Sequence, residues 1–306
     1  MRTDYILTLA LIPGVGRATI KKIIDASLQP DLYSFNKSSE QDLRSIFELL
    51  QFIRRKYVKT LHFDNFKKYY EEALKKLELS RNEGVHVINI TEDYYPPKLK
   101  SLNDPPVLLH IKGNIDVLKK PKAIAVIGTR EPTNIGRKIS EYIGKALAQL
   151  DIVVVSGLAK GCDAYAHLGC LDAHGSTIAV LAHGLHMVYP PEHKELASRI
   201  LESGGCLVSE YVFGTPPHKN YFVQRDRIQS GLSDAIIVVE TGVKGGTMHT
   251  VNFALKQKRP IGVCVSIDEA WKTHEKAQGN LKLIREEKAF PLNRNNLGQF
   301  IKLVYK

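Results

Sequence analysis

An α/β fold with a mostly parallel sheet, preceded by a small all-helical region, is predicted by three observations on this 306-residue chain. Strand-like runs alternate with helical stretches between Ala123 and Val265, the pattern of a parallel sheet whose crossover helices cover both faces. Those runs fall at Ala123–Ile127, Ile152–Val155, Thr177–Leu181, Leu207–Ser209, Ala235–Val239 and Ile261–Val265, and most are continuous in Val, Ile and Ala, as strands buried on both faces should be. From Met1 to about Asn82 apolar residues instead return every three or four positions, and Leu7, Leu11, Ile20, Ile23 and Ile24 could line such a face, which is helical periodicity.

Composition divides the chain into residues 1–84, 85–266 and 267–306. In the helical region, the stretch from Arg54 to Arg81 holds nine Lys or Arg against four Asp or Glu, interleaved with Tyr57, Phe63, Phe66, Tyr69 and Tyr70. A charged, solvated face over an aromatic core is expected there, with a phosphate-binding surface as the alternative. The second region opens with strands at Val85–Asn89 and Val107–Ile111, separated by Tyr95-Pro96-Pro97 and Asp104-Pro105-Pro106, which enforce an extended connector. Past Ser266 a short tail with Trp271 and an amphipathic end (Leu297, Ile301, Leu303, Val304) is expected to pack on the sheet.

The charge balance narrows the function. Forty-three Lys and Arg against 32 Asp and Glu leave a net charge of +11, which suits nucleic acid, anionic lipid or acidic partners. A hydrophobic content of 43% excludes global disorder. Met1 is not followed by a secretory leader, and no run of ~20 apolar residues could span a bilayer, so a cytoplasmic protein without a membrane role is expected. The four cysteines (Cys162, Cys170, Cys206, Cys264) form no C-x-x-C pair, which fits reduced, buried thiols better than a zinc site or disulfides.

Three glycine turns carry the chemistry: Gly128-Thr129-Arg130, Ser156-Gly157-Leu158-Ala159-Lys160-Gly161-Cys162-Asp163, and Gly245-Gly246-Thr247. Each joins a strand to a helix, so backbone N–H groups at helix N-termini face the same sheet edge and attract phosphate. Arg130 and Lys160 add full positive charge there, although a structural ion pair is the alternative for Arg130. The first turn lacks G-x-G-x-x-G, and the next strand ends in Ser156-Gly157 where a dinucleotide site needs an acid for the ribose. NAD and FAD are therefore disfavoured, a P-loop is absent, and no cofactor is expected. Asp163 and His167 stand four apart on one helical face; a helix-start carboxylate and a packed imidazole explain them better than acid–base chemistry. His183, His186 and His193 surround Tyr189-Pro190-Pro191 without metal spacing.

Two further segments point to nucleic acid. Leu11-Ile12-Pro13-Gly14-Val15-Gly16 matches a helix-hairpin-helix, whose glycines Gly14 and Gly16 let amides approach a DNA phosphate, though a plain helical corner has the same pattern. Pro216 to Arg227 joins a strand to a helix and combines Tyr221 and Phe222 with Lys219, Arg225 and Arg227. Aromatics that stack bases beside cations that hold phosphates are the recipe for single strands, and core packing of the aromatics is the alternative.

Together these blocks resemble the DprA/Smf family over nearly the whole chain, from Pro13-Gly14-Val15-Gly16 through Asp104-Pro105-Pro106 and the three glycine turns to Arg225-Asp226-Arg227-Ile228. The resemblance implies an extended Rossmann-like sheet domain, a helix-hairpin-helix or SAM-like N-terminal domain, and a homodimer. It further implies binding and protection of single-stranded DNA during natural transformation, with delivery to a RecA-type recombinase and no enzymatic turnover. By motif, Arg130 and Lys160 correspond to phosphate contacts, Phe222 to the base-stacking aromatic, and Arg225 and Arg227 to strand or pocket contacts. Thr247 stands where a hydroxyl closes an anion site, with Gly128, Gly157, Lys219 and Gly246 in the same blocks. The chain departs from the family pattern at Asp226, for the usual Asn, and at Gly246-Thr247-Met248 and Cys264-Val265-Ser266. No C-terminal winged helix of the kind many relatives carry is expected. A nucleotide-binding sensor of the related LOG/SLOG class is the second reading. Hydrolases of that fold use Gly-Gly-x-Gly-Thr-x-x-Glu, whose Glu the turn beginning Gly245-Gly246-Thr247-Met248 lacks. A degenerate paralogue kept as a scaffold is a third.

Overall fold

The computed structural model describes residues 1–28, 39–54 and 60–306. Its N-terminal region is helical, as the periodicity requires: α1 (Thr3–Leu11), α2 (Arg17–Ser27), α3 (Ser39–Arg54) and α4 (Phe63–Asn82). The corner between α1 and α2 turns at Gly14, whose φ of +79° suits glycine alone, and Arg54 donates to its carbonyl at 2.9 Å. Phe47 lies 5.5 Å from Phe63 and 5.4 Å from Phe66 between ring centroids. Phe66 is fully buried while Lys68 and Lys75 on the same helix are exposed, so this helix carries a charged face over an aromatic core. Tyr57, with Arg55, Lys56 and Lys59, lies outside the described residues.

A connector then supplies β1 (Val85–Asn89), the single turn α5 (Pro97–Lys100) and β2 (Leu108–Gly113). The α/β unit follows as β3 (Ala123–Ile127), α6 (Asn134–Gln149), β4 (Val153–Ser156), α7 (Cys162–Asp172), β5 (Thr177–Leu181), α8 (Lys194–Glu202) and β6 (Cys206–Ser209). It continues with α9 (Lys219–Leu232), β7 (Ala235–Val238), α10 (Thr247–Lys256) and β8 (Ile261–Cys264). The chain then forms α11 (Glu269–Thr273), α12 (Gln278–Arg285), β9 (Phe290–Leu292) and α13 (Leu297–Val304). One nine-stranded sheet runs β1-β2-β6-β5-β4-β3-β7-β8-β9. Pairs from β6 through β9 are parallel, whereas β1 with β2 and β2 with β6 are antiparallel.

Alternate residues of the central strand enter different cores, as a period of two dictates. Ala123, Ala125 and Ile127 join a cluster that extends into Tyr5, Ile6 and Leu50 of the N-terminal helices. Ile124 and Val126 face Ile143, Cys170 and Phe300 on the other side. The boundary near residue 84 is thus a change of element type across a continuous apolar core. The four cysteines are free and buried, and no helix among the described residues is long and apolar enough to cross a membrane.

Residues 267–306 also extend the sheet itself. The tail does more than pack on the sheet, because Phe290–Leu292 hydrogen-bonds parallel to β8 as its ninth strand. It is a three-residue strand containing Pro291, too short for a periodic signal and tolerable only at an edge, where a missing N–H faces outward.

From β3 the chain moves outward through β4, β5 and β6, then returns to set β7 on the opposite flank of β3. In an open α/β sheet, ligands bind where that order reverses, outside the carboxyl ends of the strands.

Candidate nucleic-acid interface

A pocket of about 940 Å³ occupies that reversal point. Its walls come from the turn after β3 (Gly128, Thr129, Arg130), the turn after β7 (Thr241, Gly242, Gly245, Gly246), the start of α10 (Thr247, Thr250) and the first turns of α9. Elements converge closely here: a side chain at Gly128 would collide with Cys162 at the start of α7 and with the Glu240 carbonyl.

The rim carries exposed charge. Arg130 is exposed, forms no salt bridge among the described residues, and holds its guanidinium 5.3 Å from the Phe222 ring centroid, within cation–π range. Tyr189 lies 5.8 Å from the same ring, tilted by 51°. Lys219, the first residue of α9, is exposed at the pocket edge. Gly246 caps α10 without a side-chain hydrogen bond and with open space around it, and the first-turn Met248 and His249 N–H groups turn back to the Gly245 and Gly246 carbonyls at 3.0 Å. Arg130, Lys219, Phe222, Gly128, Gly246 and Thr247 line this one pocket.

The floor is different in kind. Arg225 is only 4% exposed; its guanidinium donates to the Val180 carbonyl and its Nε lies 3.3 Å from Asp226. It sits directly on Gly157, where any side chain would strike it and Asp163. Asp163 accepts the Gly157 N–H at 3.1 Å. The Gln229 amide nitrogen donates to Asp226 at 3.1 Å, and its oxygen accepts from Gly157 N–H at 2.9 Å. Burial pushes the Asp226 carboxyl up to about 7, against the pull of Arg225, and the neighbouring Asp163 pushes the same way. Burial raises Asp163 as well.

Behind the rim, Glu240 is fully buried and accepts from the Thr133 N–H at 2.9 Å, the Thr133 hydroxyl at 2.6 Å and the Trp271 indole N–H at 2.6 Å. Its own carbonyl takes the Thr129 N–H at 2.8 Å. One side chain thus fixes the start of α6 and α11 beside the turn that carries Arg130.

Other candidates are placed elsewhere. Gly157 lies beneath Arg225 and is closed off from the cavity wall. Lys160 is exposed next to pocket-lining Ala159, but pairs with Glu192. Arg227, expected as a strand or pocket contact, is corrected to an interior ion-pair partner. It is 3% exposed, outside the pocket lining, and donates to Glu210 at 2.7 and 3.0 Å. Tyr221 stacks on Tyr211 at 4.3 Å instead of facing the cavity. Gly14 and Gly16 are exposed at the helical corner, apart from the pocket. His167 is buried against the Thr177 hydroxyl at 2.7 Å, and burial pushes its imidazole down to about 3, so it is a neutral packed residue. No group of three potential metal ligands occurs among the described residues. Sequence reasoning missed Tyr189 and Gln229 as pocket elements; the fold alone unites them with Asp226.

Comparison with known proteins converges on this site's family. The family described as DNA recombination-mediator protein A matches residues 86–302. DNA processing protein DprA of Bacillus subtilis is 34% identical over 239 residues, 78% of this chain and 80% of that protein. Protein Smf of Escherichia coli is 37% identical over 176 residues, 58% of this chain and 47% of its own length. Among solved structures, Streptococcus pneumoniae DprA aligns with TM-score 0.76 and 29% identity across 95% of both chains. Helicobacter pylori DNA processing protein A aligns with TM-score 0.63 and 27% identity, covering 71% of this chain and 96% of that one, in a study of its single-stranded DNA binding mode.

Proposed function

The chain belongs to the DNA recombination-mediator protein A family, and on that premise we propose that it binds single-stranded DNA in the pocket between β3 and β7. The observation that carries this reading is Arg130 poised 5.3 Å from the Phe222 ring centroid at the pocket mouth, without a salt bridge among the described residues. An unpaired guanidinium beside an aromatic face offers a phosphate contact and a stacking platform at one point. The start of α10, which carries no side-chain cap, and Lys219 extend the anion-binding edge.

Single strands are favoured over duplex because only unstacked bases reach Phe222. The bound strand is then delivered to a RecA-type recombinase by a homodimer of this chain, without chemical turnover; these steps rest on the family. Equilibrium binding of a labelled oligonucleotide, its duplex and free nucleotides in one buffer tests the central point. Tighter binding of the single strand, lost in Arg130→Ala, supports it. Equal affinity for duplex, or preference for a free nucleotide, overturns it and favours the nucleotide-sensor reading. Light scattering at monomer mass across micromolar concentrations overturns the dimer.

A further inference from the structure

The floor of the pocket holds two carboxylates under a rim built for an anion. Asp226 belongs to the pocket lining and stands mid-helix in α9, where no helix terminus favours its charge. Asp163 lines the same cavity but occupies the first turn of α7, where the helix dipole and the Gly157 N–H work against the burial that raises it. Two carboxylates, Asp163 buried and Asp226 largely so, cannot both be fully compensated by one guanidinium.

We infer that Asp226 sets the net charge of the pocket floor by gaining or losing a proton, and thereby sets how tightly the pocket holds an anionic strand. This rests on the pocket being the DNA site and goes beyond it by naming the residue that grades its affinity. The groups facing Asp226 are Arg225 and Gln229 on its own helix, Asp163 on α7, Thr250 on α10 and Arg130 on the turn after β3. His218, Lys219, His249 and Tyr189 complete the titratable lining. Burial brings the Asp226 carboxyl up to about 7, so its proton is present below neutrality and lost above. In the protonated state the floor carries one negative charge fewer, and a bound phosphate favours that state further. DNA binding therefore takes up protons, and affinity falls as pH rises through 7.

The test measures oligonucleotide affinity of the full chain at fixed ionic strength from about pH 5.5 to about pH 8.5. Wild type, Asp226→Asn and Arg130→Ala are compared. Asparagine imitates the protonated carboxyl in size and charge, so the difference between the two chains reports on Asp226. Asp226→Asn is expected to match wild type at the acid end and to bind on the order of tenfold tighter at the alkaline end. Parallel profiles for the two, with binding still lost in Arg130→Ala, overturn this inference and leave the pocket reading standing. Absence of binding by wild type at every pH removes both. Should Asp226→Asn not fold, carboxyl carbon-13 NMR of labelled wild type decides the point. One aspartate titrating near neutrality and shifting upward with added oligonucleotide supports the inference. Aspartates that all titrate below about pH 5 overturn it.

Discussion

Helix α9 presents cations to two different surroundings. Toward the pocket, Lys219 is exposed and Phe222 lies beneath the unpaired Arg130. Toward the N-terminal helices, Arg227 is clamped by Glu210 and approached by Asp104 at 3.4 Å. Arg17 of α2 completes that network, donating to Asp104 at 2.7 and 3.0 Å and to Glu210 at 3.1 Å. The same helix therefore carries charge available to a ligand and charge consumed in joining the helical region to the sheet. Number and type of cation do not separate the two uses; burial and a carboxylate partner do.

The comparison breaks most readily at Arg227. Arg227→Ala leaves Glu210 buried with one cation fewer and is expected to cost about 3–5 kcal/mol of folding stability, read by urea denaturation. Oligonucleotide affinity of the folded fraction should stay unchanged. Loss of affinity at full stability would place Arg227 on the binding side after all. Phe222→Ala should cost about 1–3 kcal/mol of binding while the slope of log affinity against log salt holds steady, since stacking releases no counterions. Arg130→Ala should weaken binding and, unlike Phe222→Ala, also flatten that slope by roughly 0.7 for a single strand, leaving stability within about 0.5 kcal/mol. Lys160→Ala should move the slope least, because Glu192 already offsets its charge. Glu192→Ala, which releases Lys160, should steepen the slope; no response would show Lys160 to lie off the DNA path.

The fold was legible because its signals are local. Runs such as Ala123–Ile127 and Thr177–Leu181 coincide with the observed strands, and others shift by one residue, as Ile152 and Leu207 do beside β4 and β6. The rim was legible for the same reason: Gly128-Thr129-Arg130 and Gly246-Thr247 each lie at a strand–helix junction, where topology fixes their place. The floor was not. Asp226 reads in sequence as negative charge in the strand's path, yet the structure sinks it beside Arg225 and Asp163. That pairing joins residues 63 positions apart and leaves no local trace. Arg225 and Arg227 look alike in sequence, and only packing against Val180 or Glu210 distinguishes them.

The ninth strand has a consequence for synthesis. Until residues 290–292 leave the ribosome, β8 has a bare edge of N–H and C=O groups. The central pairing is also delayed, because β3 finds β7 only after more than a hundred residues have intervened, as Ile124 opposite Ala235 shows. A nascent chain of this protein therefore exposes a flank beside β3 until β7 is made, and then one beside β8 until β9 is made. Such edges recruit other strands when left unpaired. The edge of β8 is covered only once residues 290–292 are made, and a ribosome stalled before them would release a form with that edge bare.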